Sequence, residues 1–415
     1  MDTPAPRPRS GTRTLAMGTL IGAVSAYGFL ILGERSLGED AFAPIALLWT
    51  LLYLLFTVLL LPLEQLVIRR LALGEESSLT RDRWAIAGVV VLGVGLAAAY
   101  VLTNSDRFEG ERGYVGVAAV MVSGYGFLAV GRGFLAGHRR FRAYGWAVAG
   151  EGLIRLAGAI VLAFGSNGAL AWAWAMTMGP WMVVFARPFQ DVGFQERGGE
   201  EAAGFGLGSF LPGLVLGNVG SQIILSAGAL VVDSLRASPA EVTIFFTTFT
   251  LFRGPVSLAY PFLSRILPSL TQMASRGEHR RLFGLAERIG MFGVLLAGVG
   301  GIAGYLLGPA VVELFFGGGA QPTANLAATA AAGVIAGAGA LAVGQILIAQ
   351  GKTNAYALVW LSALAVAALV VWLGGGAAPR RVATGVAAGE FAALATMVVA
   401  TRVGLARLSE GSLPR

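Results

Sequence analysis

The 415-residue chain is 56% hydrophobic and 13% charged, about half the charged share of a water-soluble domain, roughly 25%. This excludes a soluble enzyme or binding module and calls for lipid around most of the surface. With no cysteine and only His138 and His279, disulfides, thiol chemistry and a histidine-built metal centre are excluded and no cofactor is expected. The net charge of +7 comes from arginines spread over the connections, Lys352 being the one lysine, and orients a membrane protein; no nucleic-acid partner is expected.

In chain order, apolar runs fall at 14–33, 42–63, 84–104, 113–135, 143–164 and 168–186, then at 206–232, 241–263, 284–308, 324–349, 354–374 and 382–404. Each is close to the roughly 20 residues that carry a helix through a hydrocarbon core about 30 Å thick. Barrel strands would show as alternating runs of about ten residues, whereas these are continuous and rich in Ala, Leu and Gly. Helices satisfy every backbone group internally, and the 60 glycines let them pack closely. The expected fold is an all-α integral membrane protein of twelve transmembrane helices: a six-helix bundle over 1–186, a cytoplasmic linker over 187–204 and a second six-helix bundle over 205–415. The first run follows the basic segment MDTPAPRPRSGTRT and lacks a cleavage site, so it reads as an uncleaved span.

The connections set the orientation. Arg7, Arg9 and Arg13, then Arg69, Arg70, Arg81 and Arg83, then Arg139, Arg140 and Arg142 all fall on one side, joined by Arg187, Arg197, Arg276, Arg280, Arg281, Lys352, Arg402 and Arg407. That side is cytoplasmic by the positive-inside rule, which puts both termini inside. The opposite connections are often acidic, as in GERSLGED from Gly33. Arg380 and Arg381 are the exception, falling outside in this count and pointing to a miscounted span near the C-terminus.

The two halves resemble each other. LPLEQLVIRRLA from Leu61 matches YPFLSRILPSLT from Tyr260, aligning Pro62 with Pro261, and AGHRRFRAYG matches AQGKTNAYAL, aligning Tyr144 with Tyr356. An even number of spans per copy implies parallel repeats related by an axis along the membrane normal.

Charges inside spans are costly, roughly 2.5 to 3.5 kcal/mol at the bilayer centre, and mark partners or wet cavities. Glu151 and Arg155 lie one turn apart in the fifth span; they form a structural ion pair, or Arg155 lines a cavity and offers its fork to an anion such as a phosphate. Arg253, followed by Gly254 and Pro255, has no acid one turn away and needs a partner from another helix or water; Pro255 and Pro261 are expected to kink its helix. Arg132 and Arg265 read as snorkelling residues near the cytoplasmic face, Arg132 also being a cavity candidate. Asn218, Ser221 and Gln222 make an uncharged polar face, helix glue or a contact for substrate hydroxyls. Glu64 is a candidate ion or gate residue. Glu390 either titrates or pairs with Arg253 or Arg155. No GxxxxGK[ST] loop is present, no polar connection is long enough for a catalytic domain, and the chain is not expected to be an enzyme.

The six-plus-six arrangement, LILGERSLGEDAFAPIALLWTLLYLLF and VGRGFLAGHRRFRAYGWAVAGEGLIRLAGAIVLAFG together resemble the polysaccharide-exporter, or O-antigen flippase, branch of the multidrug/oligosaccharidyl-lipid/polysaccharide (MOP) exporter superfamily. The matching positions are Arg132, Phe141, Arg142 and Arg155. The resemblance implies a MATE-like, V-shaped pair of six-helix bundles in a bacterial cytoplasmic membrane. It also implies alternating-access movement of a polyprenyl-pyrophosphate-linked glycan; a diphosphate needs cationic partners, for which Arg155 and Arg253 are the candidates, and Glu151, Asn218, Gln222 and Arg132 are further candidates for the cavity. Many members have fourteen spans, and this chain has twelve. The rival within the superfamily is a sodium- or proton-coupled multidrug or metabolite antiporter, with Glu64, Glu151 or Glu390 as the coupling acid. A major-facilitator transporter lacks its loop signature in EQLVIRRLALGEESSLTRDRW, and a membrane glycosyltransferase or ligase lacks a large external loop.

Overall fold

The computed structural model describes residues 9–72, 76–138, 140–165, 168–184, 207–317 and 321–410. The expected linker at 187–204 lies outside the described residues, as do Arg7, Arg139, Arg187 and Arg197. The described chain is largely helical: α1 (Arg9–Leu37), α2 (Glu39–Leu55), α3 (Leu61–Ala72), α4 (Glu76–Thr103), α5 (Gly113–Gly137), α6 (Phe141–Ala163) and α7 (Ala169–Val184), then α8 (Leu207–Ser226), α9 (Gly228–Ser234), α10 (Pro239–Ser275), α11 (His279–Phe316), α12 (Ala324–Ala349), α13 (Thr353–Leu373) and α14 (Ala378–Glu410). Among the described residues nine helices are long and apolar enough to cross a membrane, or ten if α8 and α9 form one bent span. The chain divides into two compact units, Met1–Ala203 and Gly204–Arg415.

Two spans are interrupted in their regular α-helical structure. In the second span, α2 passes into α3 through a π-helical turn, Phe56–Leu60. Pro62 supplies the cause: it has no N–H for the carbonyl of Val58 and its ring crowds that carbonyl, so the preceding turn widens. In the seventh span, α8 and α9 meet at an angle of 62°. Gly228 opens α9 beneath the Phe245 ring, where a Cβ would lie 2.6 Å from Cε1, and Phe245 stacks on Phe249 at 4.4 Å. By contrast, α10 continues as one helix through Pro255 and Pro261.

Each unit contains a helix pair drawn together by glycine. In the N-terminal unit α1 lies along α6, and a Cβ at Gly22 would lie 3.0 Å from the carbonyl oxygen of Val148. In the C-terminal unit α8 lies along α13, and a Cβ at Gly220 would lie 3.1 Å from Cβ of Trp360. Without side chains at these points the backbones approach closely enough for dispersion to hold them where lipid supplies no hydrophobic drive.

The acidic connection expected at 34–40 is partly helix. Glu34 and Arg35 belong to the last turns of α1, and Glu34 is 2% exposed. In the exceptional connection, Arg381 has a structural role. It folds back from α14 and donates to the carbonyl of Val371 from Nη2 at 2.8 Å and from Nε at 3.3 Å. It thereby caps one of the last carbonyls of α13, beyond the reach of a helical donor. The helices on both sides, α13 and α14, are present.

Candidate functional site

In the N-terminal unit four charged residues of the spans, Glu64, Arg132, Glu151 and Arg155, are gathered into two linked clusters. The first lies on α5 and α6. Arg155 Nη2 meets Glu151 Oε1 at 2.9 Å, as the one-turn spacing implies. Tyr125 completes the group, donating its hydroxyl to Glu151 Oε1 at 2.5 Å and accepting from Arg155 Nη1 at 3.0 Å. The guanidinium lies over the Trp49 ring, 4.7 Å from its centroid. Glu151 and Arg155 are 8% and 5% exposed, so each charge neutralises the other away from water.

The second cluster lies toward the arginine-rich end. Arg132 donates to Glu64 Oε2 from Nη2 at 2.7 Å and from Nε at 3.0 Å, and Tyr144 donates to Glu64 Oε1 at 2.6 Å. The side chain of Arg132 is 11% exposed. It therefore does not snorkel: a carboxylate from α3 satisfies it within the protein, which removes the reason to reach for the interface. Arg265 lies in α10, and its side chain lies outside the described set.

Phe56, in the π-helical turn, joins the clusters. Its ring meets Tyr125 edge-on at 5.9 Å and lies 5.1 Å beneath the Arg132 guanidinium, which also covers Tyr144 at 5.7 Å. Trp49, Arg155, Tyr125, Phe56, Arg132 and Tyr144 thus form one continuous series of aromatic and cationic contacts. Cation–π contacts of this kind contribute about 2 kcal/mol when desolvated.

The C-terminal unit is arranged differently. Glu390 on α14 is fully buried, and among the described residues neither of its oxygens has a hydrogen-bond partner. It presses on α12, where a Cβ at Gly333 would lie 2.6 Å from Oε2 and one at Gly337 2.9 Å from Oε1. The Arg253 guanidinium acts on it electrostatically while lying over the Phe249 ring at 5.2 Å. Asn218 accepts from the Tyr356 hydroxyl at 3.3 Å, and Gln222 Oε1 accepts from Ser226 at 3.5 Å. The first contact joins α8 to α13, and the second lies within α8.

Glu151, Arg155, Glu64, Arg132 and Glu390 all stand out in the sequence, and the structure brings the first four into the two clusters. Trp49, Phe56 and Tyr125 do not stand out there, and Tyr144 does so only as a repeat marker. The proline behind the π-helical turn is the available signal. Among the described residues no group of three metal-ligating side chains is found.

The sequence matches no protein-family model and no curated relative. Solved structures do match. An inward-facing multidrug-resistance MATE family transporter of the MOP superfamily superposes with a TM-score of 0.61 at 15% identity, over 98% of this chain and 100% of that one. An outward-facing MATE transporter of the same superfamily gives 0.58 at 15% identity, over 98% of each chain. A Vibrio cholerae MATE transporter gives 0.55 at 14% identity, over 96% of this chain and 98% of the other. The chain therefore has the all-helical fold of the MATE transporters.

Proposed function

We propose that this chain is an alternating-access membrane transporter whose cargo is a polyprenyl-pyrophosphate-linked oligosaccharide, carried from the inner to the outer leaflet of a bacterial cytoplasmic membrane. The full-length likeness to MATE transporters supports the transporter reading. One observation carries the substrate class: the N-terminal unit holds Arg155 and Arg132 within its spans, each against one carboxylate and beside one tyrosine. A diphosphate matches a guanidinium fork as a carboxylate does and carries more charge, so it competes for Arg155 and Arg132 while the carboxylates keep their tyrosine hydrogen bonds. Arg253 is the corresponding candidate in the C-terminal unit.

The test is binding in detergent. Polyprenyl pyrophosphate is expected to bind at least about tenfold more tightly than the matching polyprenol, and Arg155→Ala and Arg253→Ala to lose that preference. Equal affinity of the wild type for both would overturn the substrate class.

A second reading, an ion-coupled multidrug or metabolite antiporter, is favoured by Glu390. A buried carboxyl without a hydrogen-bond partner is a place for a proton or a sodium ion, and intramembrane acids commonly serve in proton relays. In proteoliposomes an imposed proton or sodium gradient would then drive uptake of a cationic dye by the wild type and not by Glu390→Gln. Uptake indifferent to both gradients and to the substitution contradicts this reading.

A further inference from the structure

A groove with a volume of about 850 Å³ runs between α11 and α14 of the C-terminal unit, within the size of small-molecule sites, roughly 300–1,000 Å³. Met291 and Val294 of α11 and Phe391, Leu394 and Val398 of α14 form its walls. Gly284 lines one end, and a Cβ built there would meet nothing within 4 Å. A side chain placed at Gly284 would therefore enter open space.

The groove opens on a face made for lipid: Phe292, Leu295 and Val299 of α11 are 56%, 60% and 55% exposed. Its body is apolar and its end is charged. Glu287 and Arg288 are exposed in the lining near the start of α11. One turn beyond Val398, the exposed Arg402 lies over Phe283, 5.9 Å from the ring centroid. Two arginines against one glutamate give that end a net positive charge, on the arginine-rich side of the membrane. An apolar trough in hydrocarbon forfeits dispersion contacts unless something apolar fills it, and a basic rim at the interface attracts phosphate headgroups.

We propose that this groove holds a glycerophospholipid, with an acyl chain along Met291, Leu394 and Val398 and the phosphate at the Arg288 end. The site lies wholly in one unit and does not depend on what the transporter carries. Among small ligands of the same chemistry, a membrane phospholipid fits better than a long polyprenyl phosphate, because the lining runs only from Gly284 to Val294 along α11, about 15 Å at 1.5 Å per residue, and ends at Gly284 beside the charges.

The test is native mass spectrometry of the detergent-purified chain titrated with phosphatidylglycerol, for the wild type, Gly284→Trp, Ala395→Trp and Arg288→Gln. One tightly held lipid per chain is expected in the wild type. Gly284→Trp, which fills open space, is expected to weaken it by about tenfold, the change that follows from losing burial of two methylenes. Ala395→Trp, at an exposed lining position, gives a second obstruction should the first variant fail to fold. Arg288→Gln is expected to weaken phosphatidylglycerol binding while leaving diacylglycerol binding unchanged. Lipid binding indifferent to both tryptophans overturns the proposal. So does a groove occupied by polyprenyl phosphate in preference to phosphatidylglycerol, or a chain dimer that Gly284→Trp dissociates.

Discussion

The two units solve the same problem, a charge within a membrane span, in opposite ways. The N-terminal unit neutralises four of its charges internally: Arg155 with Glu151 and Tyr125, Arg132 with Glu64 and Tyr144. The C-terminal unit leaves Glu390 without a hydrogen bond among the described residues and packs it against Gly333 and Gly337. The register that aligns Tyr144 with Tyr356 deepens the contrast. It sets the buried Ala363 and Ala367 of α13 at the places of Glu151 and Arg155, and Met178 of α7 at the place of Glu390. Both units keep the glycine-drawn helix pair, α1 with α6 and α8 with α13, while the charges have been placed independently. Packing is thus the shared part of the two units and chemistry the divergent part.

The contrast is most vulnerable at Arg155. Arg155→Ala strands a buried carboxylate and is expected to cost about 3–5 kcal/mol in thermal unfolding in detergent. Replacing Glu151 and Arg155 together by alanine, which reproduces the C-terminal arrangement, is expected to recover most of that loss. A double variant as unstable as the single one would show that the pair does more than neutralise itself. Tyr125→Phe removes a hydrogen bond to a charged group and is expected to cost about 1.5–3 kcal/mol in the same measurement.

In the C-terminal unit, Gly333→Ala drives a methyl into Glu390 Oε2 and the Ala387 backbone. It is expected to destabilise by about 1–3 kcal/mol through overpacking, and pairing it with Glu390→Ala is expected to relieve the loss. The smallest effect belongs to Arg381→Ala, which uncaps the end of α13 and is expected to cost about 0.3–1 kcal/mol.

Much of the fold is legible in the sequence because apolar run length reports directly on bilayer thickness. The Glu151–Arg155 pair is legible for a similar reason, since one-turn spacing fixes it on one helix face. The Arg132–Glu64 contact is not, because it joins residues 68 positions apart and depends on how α3 meets α5. The tyrosines escape notice on the same account: Tyr125 reaches Glu151 across 26 positions and Tyr144 reaches Glu64 across 80. Pro62 marks a disturbance in the second span, but whether a proline kinks a helix or widens one turn depends on the packing around it. The bend at α8 and α9 lies where Phe245 is seated against Gly228, a contact between helices that no local pattern announces.

Movement of a lipid-linked glycan between leaflets can be measured in proteoliposomes that carry a fluorescent polyprenyl-pyrophosphate sugar and are read by quenching from the outer face. Rapid, saturable loss of leaflet asymmetry is expected with the wild type, and strong slowing with Arg155→Ala. Asymmetry that persists at the protein-free rate, in vesicles where the wild type is folded, would rule out glycan flipping by this chain.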